Sequence, residues 1–121
     1  MKQRIENYFP LALEALEEFE IVNNGNIKKP FNGYVSSFGA SIIQSSLLPT
    51  IAFYKAVETS AEAEREKIID AIFWIVNNSV SPNNLFEYVQ NHGNKELLVE
   101  KLLDAATALK LAIRTFNLIE P

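Results

Sequence analysis

The last part of the chain carries a seven-residue apolar repeat. Between residues 95 and 119, apolar side chains recur at alternating steps of four and three positions: Leu98, Leu102, Ala105, Leu109, Ala112, Phe116 and Ile119. Side chains at this spacing share one face of an α-helix, and such a face needs other helices to cover it. The repeat therefore predicts a long final helix, residues 95–119, packed in a helical bundle.

The earlier parts of the chain also show helical spacing rather than the alternation typical of strands. Apolar positions together with start and stop signals predict further helices at residues 3–23, 34–45, 46 onward, 59–78 and 81–92. No strand pattern, repeat or linker interrupts them. The sequence thus predicts an all-α fold, a compact single-domain helical bundle of about five to six helices that spans residues 1–121.

Several of the predicted helix ends carry recognisable signals. Thr59 and Glu62 fit a capping box, and Asn94 fits the N-cap of the last helix. Residues 24–32 are rich in asparagine and glycine and predict a loop, with a left-handed cap at Gly25. These signals mark where the chain turns between helices.

Residues 39–55, GASIIQSSLLPTIAFYK, are strongly apolar but are broken by small and polar side chains. Ser46 can cap a new helix, which places Pro49 in the first turn, where its missing N–H costs nothing. The stretch is therefore interpreted as two short helices that meet at a serine pair. It is too interrupted for the roughly 20 apolar residues that a bilayer span needs.

Composition limits the classes of function. The chain has 121 residues, no cysteine, a net charge of −4 and a sequence pI of about 5.0. The lack of cysteine excludes disulfides and thiolate sites, and with the lack of a secretory signal it favours a cytoplasmic protein. A free nucleic-acid binder is usually basic, so any contact with a polyanion requires a local cluster or a larger assembly.

The titratable residues predict no catalytic, metal or cofactor site. His92 is the single histidine and stands beside a helix-ending glycine, with no orienting partner evident. The acidic columns Glu96, Glu100, Asp104 and Glu62, Glu66, Asp70 lack the Glu-x-x-His motif of di-metal bundles. Both columns are interpreted as solvated helix faces.

Two small sets of residues are candidates for contacts with partners. The basic candidates for phosphate contacts are Lys28, Lys29, Lys55, Lys110 and Arg114. Phe73 and Trp74 are adjacent, so on a helix they point in different directions. One of them can fill the core while the other helps to form a protein interface.

The segment from Tyr34 to Lys55 carries a resemblance to a known family, the small α-helical subunit of type III-B CRISPR RNA-targeting (Cmr) effector complexes. That family has an aromatic-led helix, a small-residue stretch ending in two isoleucine-like positions, and a Gly-Leu restart into an "ALAFL"-like helix. The matching positions are Tyr34, Ala40, Ile42, Ile43, Gln44, Leu47, Ala52 and Phe53. Ser46 stands where the family usually has glycine, and Pro49 lies within the restarted helix. A late arginine in the last helix, Arg114, also fits.

The resemblance implies a non-catalytic scaffold. In such complexes a backbone filament holds the guide RNA, copies of the small subunit stack as a second filament, and target RNA lies between them. Expected partners are therefore other Cmr subunits, further copies of this chain, and guide and target RNA, with no membrane and no small-molecule substrate. The five basic candidates would make contacts with phosphates that do not depend on sequence.

Other interpretations remain open at this point. The small subunit of the type III-A complex would have a similar bundle. A helical adaptor unrelated to CRISPR systems would bind a protein and no ribonucleoprotein. A helix-turn-helix DNA binder would need a basic recognition helix, and a metal-dependent bundle enzyme would contain bound metal.

Overall fold

The computed structural model describes residues 2–121, and these residues form six α-helices and one small sheet. The helices are α1 Lys2–Glu18, α2 Lys29–Ser45, α3 Leu47–Lys55, α4 Ser60–Val76, α5 Leu85–Gln90 and α6 Lys95–Ile113. The strands are β1 Val22–Asn23, β2 Asn26–Lys28 and β3 Asn117–Ile119. The predicted all-helical bundle is confirmed, and the sheet is an addition that the sequence did not predict.

Four helices form the body of the bundle. α1 packs against α4 and α6, and α2 packs against the same two helices, so α1 and α2 lie on opposite sides of the α4–α6 pair. The first five positions of the seven-residue repeat, from Leu98 to Ala112, are buried in the core. The apolar seam of α6 is therefore the common packing surface of the bundle.

The final helix is shorter than predicted. α6 ends at Ile113, and residues Asn117–Ile119 form β3, which pairs in parallel with β2. The side chain of Asn117 donates to Oδ1 of Asn26 at 2.9 Å, and Leu118 packs against the core. The prediction that the helix continues to residue 119 was wrong because a long-range strand pairing replaces its last turns.

The first helix also ends earlier than predicted, and a hairpin replaces part of the expected loop. α1 ends at Glu18, and Glu20 adopts a left-handed conformation while the amide of Ile21 donates to the carbonyl of Leu16. This is a Schellman motif. Asn24 and Gly25, with φ of 54° and 76°, then form the turn between β1 and β2. Gly25 is thus left-handed, as predicted, but in a hairpin turn and not at a helix end.

The break between α2 and α3 lies at Ser46, as predicted, but its geometry differs from a cap. Ser46 has φ 73° and ψ 176°, and its side chain makes no capping hydrogen bond. Pro49 does lie in the first turn of α3. α2 itself begins five residues before the predicted start, with Pro30 in its first turn.

Other predicted caps are confirmed. The side chain of Thr59 accepts the amide of Glu62 at 3.2 Å, and the carboxylate of Glu62 accepts the amide of Thr59 at 2.9 Å. The amides of Glu58 and Thr59 both donate to this carboxylate and lower the pKa of Glu62. Asn94 Oδ1 accepts the amide of Leu97 at the start of α6.

Candidate functional site

Lys28 and Lys29 lie where β2 passes into α2. Lys28 Nζ is 2.7 Å from a carboxylate oxygen of Glu64, and Lys29 Nζ is 2.8 Å from one of Glu120. The two lysine side chains are 46 % and 58 % exposed. Ion pairs at such exposure contribute only about 0–1 kcal/mol, so another anion can replace the carboxylate at low cost.

Lys55 is held much more firmly. Its Nζ lies 2.7 Å from Asp70 and 3.2 Å from Glu66, both on α4, and its side chain is only 20 % exposed. Burial raises the pKa of Asp70, although the hydrogen bond and charge of Lys55 oppose that rise. The interpretation of Asp70 as a solvated residue was therefore wrong, and Lys55 ties α3 to α4.

Lys110 and Arg114 lie at the C-terminal end of α6. Lys110 Nζ donates to the hydroxyl of Ser36 on α2, and Arg114 is exposed at the helix end. Within residues 2–121, no carboxylate lies within 4.0 Å of either cation. The partial negative charge of a helix C-terminus favours cations there, but it leaves their charge available to a partner.

The structure separates the five basic candidates rather than gathering them. Lys28 and Lys29 lie beside the small sheet, while Lys55 is engaged on α4. Lys110 and Arg114 lie near the contact between α6 and α2. The five residues therefore form no single basic patch, and each group must be assigned separately.

Phe73 and Trp74 point in different directions, as their adjacency predicts. Phe73 is buried in the core and packs edge to face against Tyr88, with ring centroids 6.1 Å apart. It is not available at the surface, so its candidacy as an interface residue is corrected. Trp74 stays partly exposed, packs edge to face against Phe19, and borders a shallow depression beside α1.

Sequence reasoning missed two features around these residues. Glu14, Glu17 and Glu18 line the depression beside Trp74, and Leu111 is 43 % exposed next to Lys110. Both features could have been found in the sequence, because the three glutamates and Leu111 lie outside the core-facing apolar stripes of α1 and α6. The apolar periodicity of a helix predicts which residues are buried, but it does not predict how the solvent-facing residues of neighbouring helices combine.

A protein-family model described as CRISPR-associated protein (Cas_Cmr5) matches residues 8–115. The chain belongs to this family. The matched region starts within α1 and ends just after α6, so it includes all of the bundle's central packing. No curated protein and no solved structure matches the chain.

Membership in the Cas_Cmr5 family confirms the resemblance drawn from residues 34–55. The chain is accordingly a Cmr-type CRISPR-associated subunit, a component of an effector complex with other subunits. This decides against the adaptor unrelated to CRISPR systems. Among the described helices, none has the length and apolar character needed to cross a membrane.

Proposed function

We propose that the chain is a non-catalytic structural subunit of a type III-B (Cmr) ribonucleoprotein that acts in antiviral defence. In this proposal, copies of the chain stack into the small-subunit filament and help to line the groove that holds guide and target RNA. The observation that carries the proposal is the Cas_Cmr5 match over residues 8–115. The type III-A small subunit is the alternative.

The sole histidine has a structural task that accounts for its presence. His92 Nδ1 accepts the amide of Asn94 at 3.2 Å, and its ring packs edge to face against Tyr88. It thus supports the turn between α5 and α6. Since this nitrogen is already used as an acceptor, the geometry favours a structural role for His92 over a role as a general base.

We assign the phosphate contacts first to Lys28 and Lys29. Both are exposed and adjacent, and their present carboxylate partners are weakly held. The N-terminus of α2 lies at the same place and adds partial positive charge. Lys55 is a poor candidate, because a phosphate contact would leave the largely buried Asp70 without its partner.

A pull-down of the tagged chain from its native cell, with mass spectrometry and RNA sequencing of what co-purifies, tests which complex contains the chain. Recovery of Cmr backbone subunits with repeat-derived guide RNA supports the proposal. Recovery of type III-A subunits instead selects the alternative. A lone protein without RNA, from cells that express the complex, contradicts both.

The RNA contacts are tested in the reconstituted complex with the variant Lys28→Glu/Lys29→Glu. Loss of two phosphate contacts should reduce the slope of log affinity against log salt by about 1.4, at roughly 0.7 per contact on single strands. The matched control is the charge reversal Lys101→Glu on α6, whose salt slope should equal that of wild type. Unchanged target-RNA binding after reversal of all five basic candidates would contradict any RNA contact through them.

A further inference from the structure

Two surfaces of opposite charge have no ion-pair partner within residues 2–121. The first, which we call the acidic face, consists of Glu14, Glu17 and Glu18 on α1 and Trp74 on α4. These residues line a depression of about 500 Å³. In the described part of the chain, no basic side chain lies within 4.0 Å of these three carboxylates. The acidic face thus combines free negative charge with part of an indole surface.

The second surface, which we call the basic face, consists of Lys110, Leu111 and Arg114 at the end of α6. Leu111 is 43 % exposed, and Arg114 follows it by one helical turn. Lys110 donates to the neutral hydroxyl of Ser36 on α2, and no carboxylate among the described residues lies within 4.0 Å to compensate its charge. The basic face therefore combines two cations, one turn apart on α6, with an exposed leucine beside them.

The two faces cannot meet within one molecule. The acidic face lies where α1 borders α4, and Lys110 lies where α6 borders α2. Since α1 and α2 lie on opposite sides of the α4–α6 pair, these two borders are opposite edges of the four-helix arrangement. Each face is complete on its own and points away from the other.

We infer that the acidic face of one copy receives the basic face of the next copy. This inference rests on the proposed stacking, and it names the surfaces that stack. Leu111 would cover the exposed part of Trp74, while Lys110 and Arg114 would pair with the three glutamates. Apolar contact bordered by polar and charged pairs is typical of protein interfaces.

The inferred contact explains how a stack can continue. Because the two faces differ, the interface is heterologous, and a head-to-tail contact of this kind leaves one free face at each end. It also gives Lys110 and Arg114 a protein partner, which leaves Lys28 and Lys29 as the exposed cations available to RNA among the five candidates. The acidic face itself would repel a phosphate backbone.

The absence of cysteine permits a direct test by disulfide cross-linking. We expect chains carrying Glu17→Cys and Arg114→Cys together to form covalent ladders of small subunits when the assembled complex is oxidised. The matched control pairs Arg114→Cys with Glu96→Cys, an exposed residue at the other end of α6, and should give no ladder.

A charge swap provides the second measurement. Glu17→Lys/Glu18→Lys and Lys110→Glu/Arg114→Glu should each weaken association between copies by about tenfold, because like charges then face each other. The chain that carries all four changes should recover association. Loss of RNA affinity in the Lys110→Glu/Arg114→Glu variant, without recovery in the fourfold variant, would assign these cations to RNA and overturn the inference.

A lysine-reactive cross-linker applied to the wild-type complex tests whether copies of the chain stack at all, separately from which faces they use. If it joins copies of the chain but the Glu17→Cys/Arg114→Cys variant gives no ladder, stacking stands and the named faces are wrong. If it joins no copies in a complex that contains several, stacking itself is wrong, and the inference fails with it.

Discussion

Replacement of Ser46 by glycine should stabilise the protein. Ser46 has φ 73° and ψ 176°, a region that is essentially reserved for glycine and costs other residues about 1–3 kcal/mol. Ser46 uses only its backbone atoms in hydrogen bonds: its amide donates to the carbonyl of Ile42 at 3.0 Å, and its carbonyl accepts the hydroxyl of Thr50 at 2.8 Å and the amide of Thr50 at 3.4 Å. Ser46→Gly preserves all three bonds and removes the strain.

The net gain is smaller than the strain, because glycine also increases the freedom of the unfolded chain by about 0.5–1 kcal/mol. We therefore expect Ser46→Gly to raise the free energy of unfolding by about 1 kcal/mol and Tm by about 3–5 °C. Urea and thermal unfolding measure this. Ser46→Ala keeps the Cβ atom and should stay within about 0.5 kcal/mol of wild type. A glycine variant no more stable than the alanine variant would refute the reasoning.

Two further predictions concern the core and the buried ion pair. Leu109→Ala should lower the free energy of unfolding by about 2–5 kcal/mol, because Leu109 is fully buried in the apolar seam of α6. Urea unfolding measures this change. A loss below about 1 kcal/mol would contradict the prediction. Asp70→Asn tests the raised pKa of Asp70 by denaturation across pH. Since the folded state binds this proton more readily than the unfolded chain, wild-type stability relative to the variant should be lowest near pH 7 and rise as pH falls through the folded pKa. If the relative stability instead decreases as pH is lowered, the pKa of Asp70 is depressed and not raised.

Local sequence patterns predicted the helices well and the sheet not at all. The α6 repeat and the Thr59 capping box depend on residues close together in the chain, and the structure confirms the capping box and the first five positions of the repeat. β3 instead depends on pairing with β2, and the paired residues Asn26 and Asn117 are 91 positions apart in the chain. Strands of two or three residues are too short to show alternation, so only the Asn24–Gly25 pair, a frequent hairpin turn, signalled them.

Sequence patterns also failed to predict which of the basic candidates are paired with carboxylates in the fold. The sequence identified Lys28 and Lys55 as cations, but the carboxylates that face them are on α4 and become neighbours only after the bundle forms. Sequence spacing placed Asp70 on an apparently solvated column, whereas contact with α3 buries it. Which charges remain free is a property of tertiary packing, and no single helix pattern contains that information.

The distribution of charge, rather than its sum, reconciles an acidic chain with the proposed place beside RNA. The pairs Lys28–Glu64 and Lys55–Asp70 contribute nothing to the net charge of −4, which comes from carboxylates in excess of the cations. Three of the carboxylates that have no cation within 4.0 Å in residues 2–121, those at 14, 17 and 18, lie together on α1, on the opposite edge of the bundle from Lys110. If that edge faces a neighbouring copy, its charge is matched by protein and does not oppose RNA. The acidic composition, which argues against a free nucleic-acid binder, then agrees with the proposed role, in which the subunit contacts RNA only within an assembly.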